Sequence, residues 1–158
     1  MEGIRQISPH LYNLGVQTTV ATLDSPNSSI ISSGPSYDIL PLGPGYSPYQ
    51  FNIKFVSRLH LLAQSHDCII IHGLWQFHSF ATWLALRSLH IPYFIFPHGM
   101  LDPWFKTTYP LKHVKKSMYW PWSDYFVLRD ATAVLFTSAQ ERLQARESFR
   151  PYHVHECL

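Results

Sequence analysis

Two histidines, each followed by glycine and each closing a short apolar run, are the residues of this chain best suited to chemistry. Cys68-Ile69-Ile70-Ile71 leads into His72-Gly73-Leu74-Trp75, and Tyr93-Phe94-Ile95-Phe96 leads into Pro97-His98-Gly99-Met100. An imidazole can donate or accept a hydrogen bond near neutral pH. A glycine beside it lets the backbone turn sharply and lets a ligand come close. One such pair alone is more simply a strand-ending turn with a satisfied ring, and even with two pairs that reading stays open here. The repetition at equivalent places is what raises the ligand-facing reading.

The elements that must position these pairs follow from the same stretch. Apolar runs without alternation suit strands covered on both faces, as in a parallel sheet under helices. Between them Phe77 to Leu89 is long enough for a helix and apolar nearly all round, through Phe80, Ala81, Trp83, Leu84, Leu86 and Leu89. Such a helix is expected to be largely buried. Strand, helix, strand is a βαβ unit. In an open parallel sheet ligands bind beyond the carboxyl ends of the strands, where both His-Gly pairs fall.

The remaining chain supplies further elements of the same kind. Ile4, Ile7, Leu11 and Leu14 recur at helical spacing before Gly15, with Pro9 either in the first turn of a shorter helix capped by Ser8 or inside a longer one. Val16 to Leu23 and Tyr37 to Leu42 read as strands, separated by the turn-rich, serine-rich segment that begins at Asp24-Ser25-Pro26-Asn27-Ser28-Ser29. Gly43-Pro44-Gly45 lacks the spacing of a dinucleotide fingerprint, so no cofactor is read there. Ser47-Pro48 is expected to cap a helix running to about Gln64. Leu111, Val114 and Met118 form one face of another helix, with Lys112, Lys115 and Lys116 on its polar side. Ala133 to Thr137 reads as a strand, and Ser138 with Glu141 as a capping box opening a helix from Ala139 to Glu147.

Composition bounds the class. With 158 residues, 46% hydrophobic and only 14% charged, the chain suits one globular domain over residues 1–158. A formal net charge of +2 with no repeating basic stripe gives no reason to expect nucleic acid. Two cysteines, Cys68 and Cys157, make no disulfide framework, so a reducing cytoplasm is expected. No secretory leader and no bilayer-spanning run are expected. No Gly-x-Ser-x-Gly elbow, phosphate loop or His-Glu-x-x-His motif is present. His72, His78 and His98 match no metal-ligand spacing, so no metal is expected.

The stretch IHGLWQFHSFATWLALRSLHIPYFIFPHGMLDPW resembles the amino-terminal domain of family four glycosyltransferases of the GT-B type, in the bacterial branch that builds surface polysaccharides. EGIRQIS, YPLKH, YWPW and VLRDATAVLFTSAQERLQAR extend the resemblance over nearly the whole chain, and PHGMLDPW is its most specific part. It implies an α/β fold: a Rossmann-like parallel sheet with helices on both faces, one half of a GT-B fold. In the family a strand and a glycine-rich loop come before EGIRQIS, and that strand is central in the sheet. The expectation is therefore a domain lacking its first central strand, with the Val16 to Leu23 and Cys68 to Ile71 strands left without a shared neighbour. The family continues into a second α/β domain that binds the nucleotide sugar, so the chain is expected to be a fragment truncated at both ends and inactive alone.

The implied reaction is transfer of a sugar from a nucleotide-sugar donor to a glycan or lipid-linked acceptor, with retention and without a metal or other cofactor. By resemblance His98 is the catalytic residue, and His98 with Gly99 faces the donor. His72, Gly73, Leu74 and Trp75 match an acceptor-facing loop in which Trp75 can stack on a sugar. Asp102 either orients an acceptor hydroxyl or serves a turn before Pro103. Two other readings remain open, an inactive gene remnant and a non-catalytic glycan- or nucleotide-binding module. Residues 104–122, rich in aromatics and lysines, suit either a packed surface or peripheral contact with the inner face of a membrane through Lys112, Lys115, Lys116 and Trp120.

Overall fold

The structure, a computed structural model, describes residues 2–28 and 37–158. Ser29, the end of the quoted turn segment, and the serine-rich residues after it lie outside that description. Helix α1 (Glu2–Asn13) takes the longer of the two forms expected, with Pro9 inside it. Ser8 is an interior residue, its hydroxyl bonded back to the Ile4 carbonyl at 2.7 Å, so it does not cap.

Strands β1 (Thr19–Thr22) and β2 (Asp38–Pro41) pair in parallel, Thr19 opposite Asp38. Helix α2 (Ile53–Ala63) begins later than the Ser47-Pro48 cap predicts. The cap is Asn52, whose side chain accepts from the Lys54 N–H at 3.1 Å. Ser47 instead sits at φ +66° in a turn that brings Tyr46 and Phe51 into an antiparallel bridge, which takes these residues out of the helix.

The expected βαβ unit follows: β3 (Ile69–His72), α3 (Phe77–Leu86) and β4 (Tyr93–Phe96). The strands are parallel, with Ile69 opposite Tyr93 and His72 opposite Phe96. Helix α3 is buried through Phe77, Ser79, Ala81, Thr82, Ala85 and Leu86, as its all-round apolar character predicts. Its buried hydroxyls are satisfied locally, Thr82 donating to the His78 carbonyl at 2.7 Å.

Beyond β4 come α4 (Trp104–Thr108), α5 (Pro110–Tyr119), a short 3-10 turn (Trp120–Trp122) and α6 (Asp124–Arg129), then β5 (Ala133–Leu135), α7 (Ala139–Ser148) and β6 (Glu156–Cys157). The strands form one four-stranded parallel sheet in the order β3-β4-β5-β6 and a separate pair, β1-β2. As expected, the strand after α1 and the strand ending in His72 share no ladder. Helix α3 bridges the two halves: Phe77, Ala81 and Ala85 join Leu42, Phe55 and Leu59 in one core, while Leu86 packs with Ile71, Ile95, Val134 and Trp120 in the other.

Helix α5 turns its apolar face outward. Its apolar residues Leu111, Val114 and Met118 are 86%, 57% and 74% exposed. Its inward side carries His113, stacked on Phe149 at 4.7 Å, and Lys116, whose ammonium lies 4.3 Å from the Trp75 ring centroid. The aromatic cluster beneath offers π faces that a cation satisfies better than a methyl group does. Trp120, which one of the two readings of residues 104–122 put at a membrane, is fully buried as the packed reading has it, and its indole N–H donates to the Pro151 carbonyl at 2.8 Å. Lys116 and Trp120 are therefore core-facing residues.

Candidate active site

His72 closes β3 and His98 lies two residues past β4, so the parallel register sets the rings side by side at the carboxyl ends of neighbouring strands. His72 Nδ1 and His98 Nε2 are 3.0 Å apart, a hydrogen bond in which one ring donates and the other accepts. The rings are nearly coplanar in orientation, 14° apart with centroids at 5.2 Å. Phe96 stacks beside both, 5.5 Å from His72 and 5.7 Å from His98. His72 keeps an exposed edge, yet desolvation of the ring, then the charges of His98 and His78, lowers its pKa to about 4. His72 is therefore neutral at physiological pH.

His78, on the first turn of α3, donates from Nε2 to the His72 carbonyl at 3.0 Å. Its own pKa is lowered, chiefly by burial. The three histidines that sequence reading brought together thus meet through ring and backbone contacts. Among the described residues no three His, Cys, Asp or Glu side chains are grouped so as to hold a metal ion.

The turns after the strands are unusual in backbone. Gly73 and Gly99 have φ of +88° and +71°, and the non-glycine residues Trp75 and His98 have +70° and +53°. For a bulky residue such as Trp this region costs on the order of 1–3 kcal/mol, and it persists only where surroundings enforce it. A Cβ on Gly73 would approach the Met100 methyl at 3.2 Å, whereas one on Gly99 would meet no heavy atom within 4 Å. Gly99 is thus selected by its backbone angle and leaves open space beside His98.

Two carboxylates enforce these turns, and sequence reading assigned neither to the site. Glu141 accepts from the Gly99 N–H at 2.7 Å and, through its other oxygen, from the Thr137 N–H and hydroxyl at 2.9 and 2.7 Å. The capping box accounts only for the bond from the Glu141 N–H to Ser138 Oγ at 3.1 Å. These donors hold the Glu141 pKa below its usual value against the opposing effect of burial. Asp124, 1% exposed, accepts from the Trp75 N–H at 3.2 Å and the Ser79 hydroxyl at 3.1 Å. Its other oxygen has no partner among the described residues, and burial pushes its pKa up to about 6. A lone Asp after a Trp-rich stretch carries no local signal of such a role.

Other sequence-assigned residues fall differently. Leu74 is 2% exposed and packs in the core, its N–H donating to the Met100 sulfur at 3.1 Å. Trp75 is not free to stack on a sugar: Trp120 and Phe149 pack against it, the Lys116 ammonium covers its ring, and its indole N–H donates to the Met100 carbonyl at 3.2 Å. Asp102 serves the turn, accepting from the Trp104 N–H at 2.7 Å. Cavities of about 310 Å³ around Arg58 and about 270 Å³ around Lys112 share no residue with the histidine pair, which lies open at the sheet edge.

A family model described as "Glycosyl transferase 4-like domain" matches residues 2–156. The chain belongs to this family. No curated protein and no solved structure matches it. In this glycosyl transferase 4-like domain both His-Gly turns, both supporting carboxylates and the inverted helix α5 lie within the matched residues. No helix among the described residues is long and apolar enough to cross a membrane.

Proposed function

We propose that this chain is the acceptor-side half of a retaining glycosyltransferase that moves a sugar from a nucleotide-sugar donor to a glycan or lipid-linked acceptor. The observation that carries the reading is the His72–His98 hydrogen bond at the ends of two parallel strands, 3.0 Å long and open to solvent on one side. With neutral His72 donating from Nδ1, His98 accepts at Nε2 and keeps its Nδ1–H as an outward donor. That N–H meets negative charge developing on the departing nucleotide phosphate, the charge that transition-state stabilisation must address. Gly99 leaves the space through which the donor approaches, and the outward edge of His72 faces the acceptor, while Gly73, buried against Met100, shapes the turn. His72 is also the positioning residue for His98, and Glu141 and Asp124 hold the two turns.

In this reading the nucleotide itself is held by a second domain, and no metal is used. The test is a titration of the chain joined to a donor-binding domain, with its imidazole nitrogens labelled, against a panel of nucleotide sugars and glycans. Shifts confined to His98 and His72 support the reading. Silent imidazoles across the panel, or full sugar transfer by the chain alone, would overturn it.

A further inference from the structure

A cavity of about 310 Å³ opens beside the start of α2, just past the carboxyl end of β2, and the histidine pair does not use it. Gly43 and Pro44 line one part of its wall, Lys54 and Arg58 another, and Tyr46 and Phe51 a third; no carboxylate lines it. The two cations call for an explanation. Like charges four residues apart on one helix face repel, and neither Lys54 nor Arg58 has an ion-pair partner among the described residues. Arg58 donates from Nη1 to the Leu42 carbonyl at 3.2 Å, which aims the guanidinium and commits only one of its five N–H donors. The rings are held in place from behind. Tyr46 and Phe51 exchange backbone hydrogen bonds of 3.0 and 2.8 Å, the Phe51 ring lies 4.7 Å from that of Phe77, and the Tyr49 carbonyl accepts from the Phe77 N–H at 2.8 Å. Fixed in this way, Tyr46 and Phe51 remain 67% and 48% exposed. The same first turn of α3 carries His78, which donates to the His72 carbonyl, so the cavity and the histidine pair flank one helix start.

A guanidinium fork grips a carboxylate or phosphate through paired hydrogen bonds, and an ammonium beside it adds a second charge. An exposed aromatic ring offers a broad apolar face, which the C–H face of a pyranose covers. A neutral glycan would leave the two cations unanswered, and a bare phosphate would leave the two rings unanswered. At about 310 Å³ the cavity stands at the small end of small-molecule sites, roughly 300–1,000 Å³, and suits a sugar residue. We propose that it seats an acidic sugar residue of the acceptor glycan, with a uronate carboxylate or a phosphate ester between Lys54 and Arg58 and the sugar ring against Tyr46 and Phe51. This seat rests on the reading of the chain as the acceptor-side half, and it names the acceptor class as an anionic glycan.

The test is a titration of the full chain, followed by its amide NMR spectrum, with a glucuronate-containing disaccharide, glucose 1-phosphate, neutral maltose and inorganic phosphate. Tighter binding of a charged sugar than of maltose or inorganic phosphate is expected, with shifts around Lys54 and Arg58; the preference between the two charged sugars identifies carboxylate or phosphate. Lys54→Gln and Arg58→Gln are each expected to weaken that binding about tenfold or more, as for loss of one hydrogen bond to a charged group. Tyr46→Ala is expected to weaken the charged sugar but not inorganic phosphate, and Lys112→Gln, at the other cationic cavity, to change nothing. Lys54 and Tyr46 are exposed, and circular dichroism checks that the fold is kept. The seat is overturned if maltose binds as tightly as the charged sugars, if no sugar binds, or if Lys54→Gln and Arg58→Gln both bind as the parent does. In the chain joined to a donor-binding domain, Lys54→Gln is expected to raise the KM for an acidic acceptor while kcat is kept. Transfer that ignores both the acceptor's charge and Lys54→Gln would overturn the seat and leave the transferase reading. Acidic-sugar binding by a joined protein that transfers no sugar would overturn the transferase reading and leave the seat.

Discussion

Glu141, in the first turn of α7, accepts a hydrogen bond from the backbone N–H of Gly99 at 2.7 Å, although the two residues stand 42 positions apart in sequence. One side chain thereby joins the β5–α7 loop to the turn that carries His98. Because the same carboxylate also takes the Thr137 N–H and hydroxyl, its two oxygens are divided between the two loops.

Removing that tether has a defined cost. Glu141→Ala leaves the Gly99 and Thr137 donors without their acceptor, and hydrogen bonds to a charged group are worth roughly 1.5–3 kcal/mol each before solvent replaces them. Since Glu141 is partly exposed, about 2 kcal/mol in total is expected by urea unfolding at pH 7. The Glu141 pKa lies below its unfolded value, so its contribution is present above the ordinary Glu range and lost as pH falls through the folded pKa. Equal stability of parent and variant at pH 7 would refute the tether.

Asp124 acts in the opposite sense. Its folded pKa, about 6, is above the ordinary 3.8, so its ionisation weighs against the folded state, and its relative contribution declines as pH rises from about 4 to about 6. Asp124→Asn reproduces the protonated carboxyl: the amide oxygen can keep the Trp75 and Ser79 bonds, and the amide nitrogen takes the place of the unpartnered oxygen. The variant is expected to be more stable than the parent at pH 7.5, by at most about 3 kcal/mol for a shift of about two units, and to lose the advantage near pH 4. A variant that is weaker at every pH would show that the charge itself is needed.

His72 should titrate far below an ordinary histidine. Its midpoint of about 4 against 6.5 unfolded means that the folded state keeps its contribution above pH 6.5 and loses it as pH falls toward 4. Imidazole NMR is expected to show His72 neutral at pH 6 with the proton on Nδ1. Desolvation is the largest cause of the lowering, so His98→Gln, which removes only a smaller electrostatic contribution, is expected to raise the midpoint only partway toward 6.5. A His72 resonance that titrates near 6.5 in the parent would contradict the stacked pair.

His98 carries the catalytic proposal. In an enzyme assembled by joining this chain to a donor-binding domain, His98→Ala is expected to lower kcat on the order of a hundredfold while the KM for acceptor changes little, as for loss of one preorganised donor. His72→Phe keeps a ring beside Phe96 but removes the hydrogen bond, and a smaller loss of about tenfold is expected with the pH profile of kcat altered. Unchanged turnover on losing His98 would return it to a satisfied turn residue.

What the chain determined locally is the β3-α3-β4 unit and the placement of a His-Gly pair at the end of each strand. Those features rest on short-range pattern: β-branched apolar runs favour covered strands, and an all-round apolar stretch from Phe77 demands burial. The ends of α2 and α7 show the limit of that logic. Ser138 caps α7 as its spacing predicts, whereas a bridge between Tyr46 and Phe51 displaced the predicted cap at Ser47 in favour of Asn52. The division into two sheets agreed with what resemblance implied, not with anything periodicity could show. Only the tertiary structure decided that Asp124 holds Trp75 across 49 positions, that Glu141 holds Gly99, and that α5 turns its lysine and histidine inward with its leucine and methionine outward. The physical reason is that helical spacing says which side chains share a face but not which way that face points. The direction was set by the π faces of Trp75 and Phe149, brought together from distant parts of the chain, which hold Lys116 and His113.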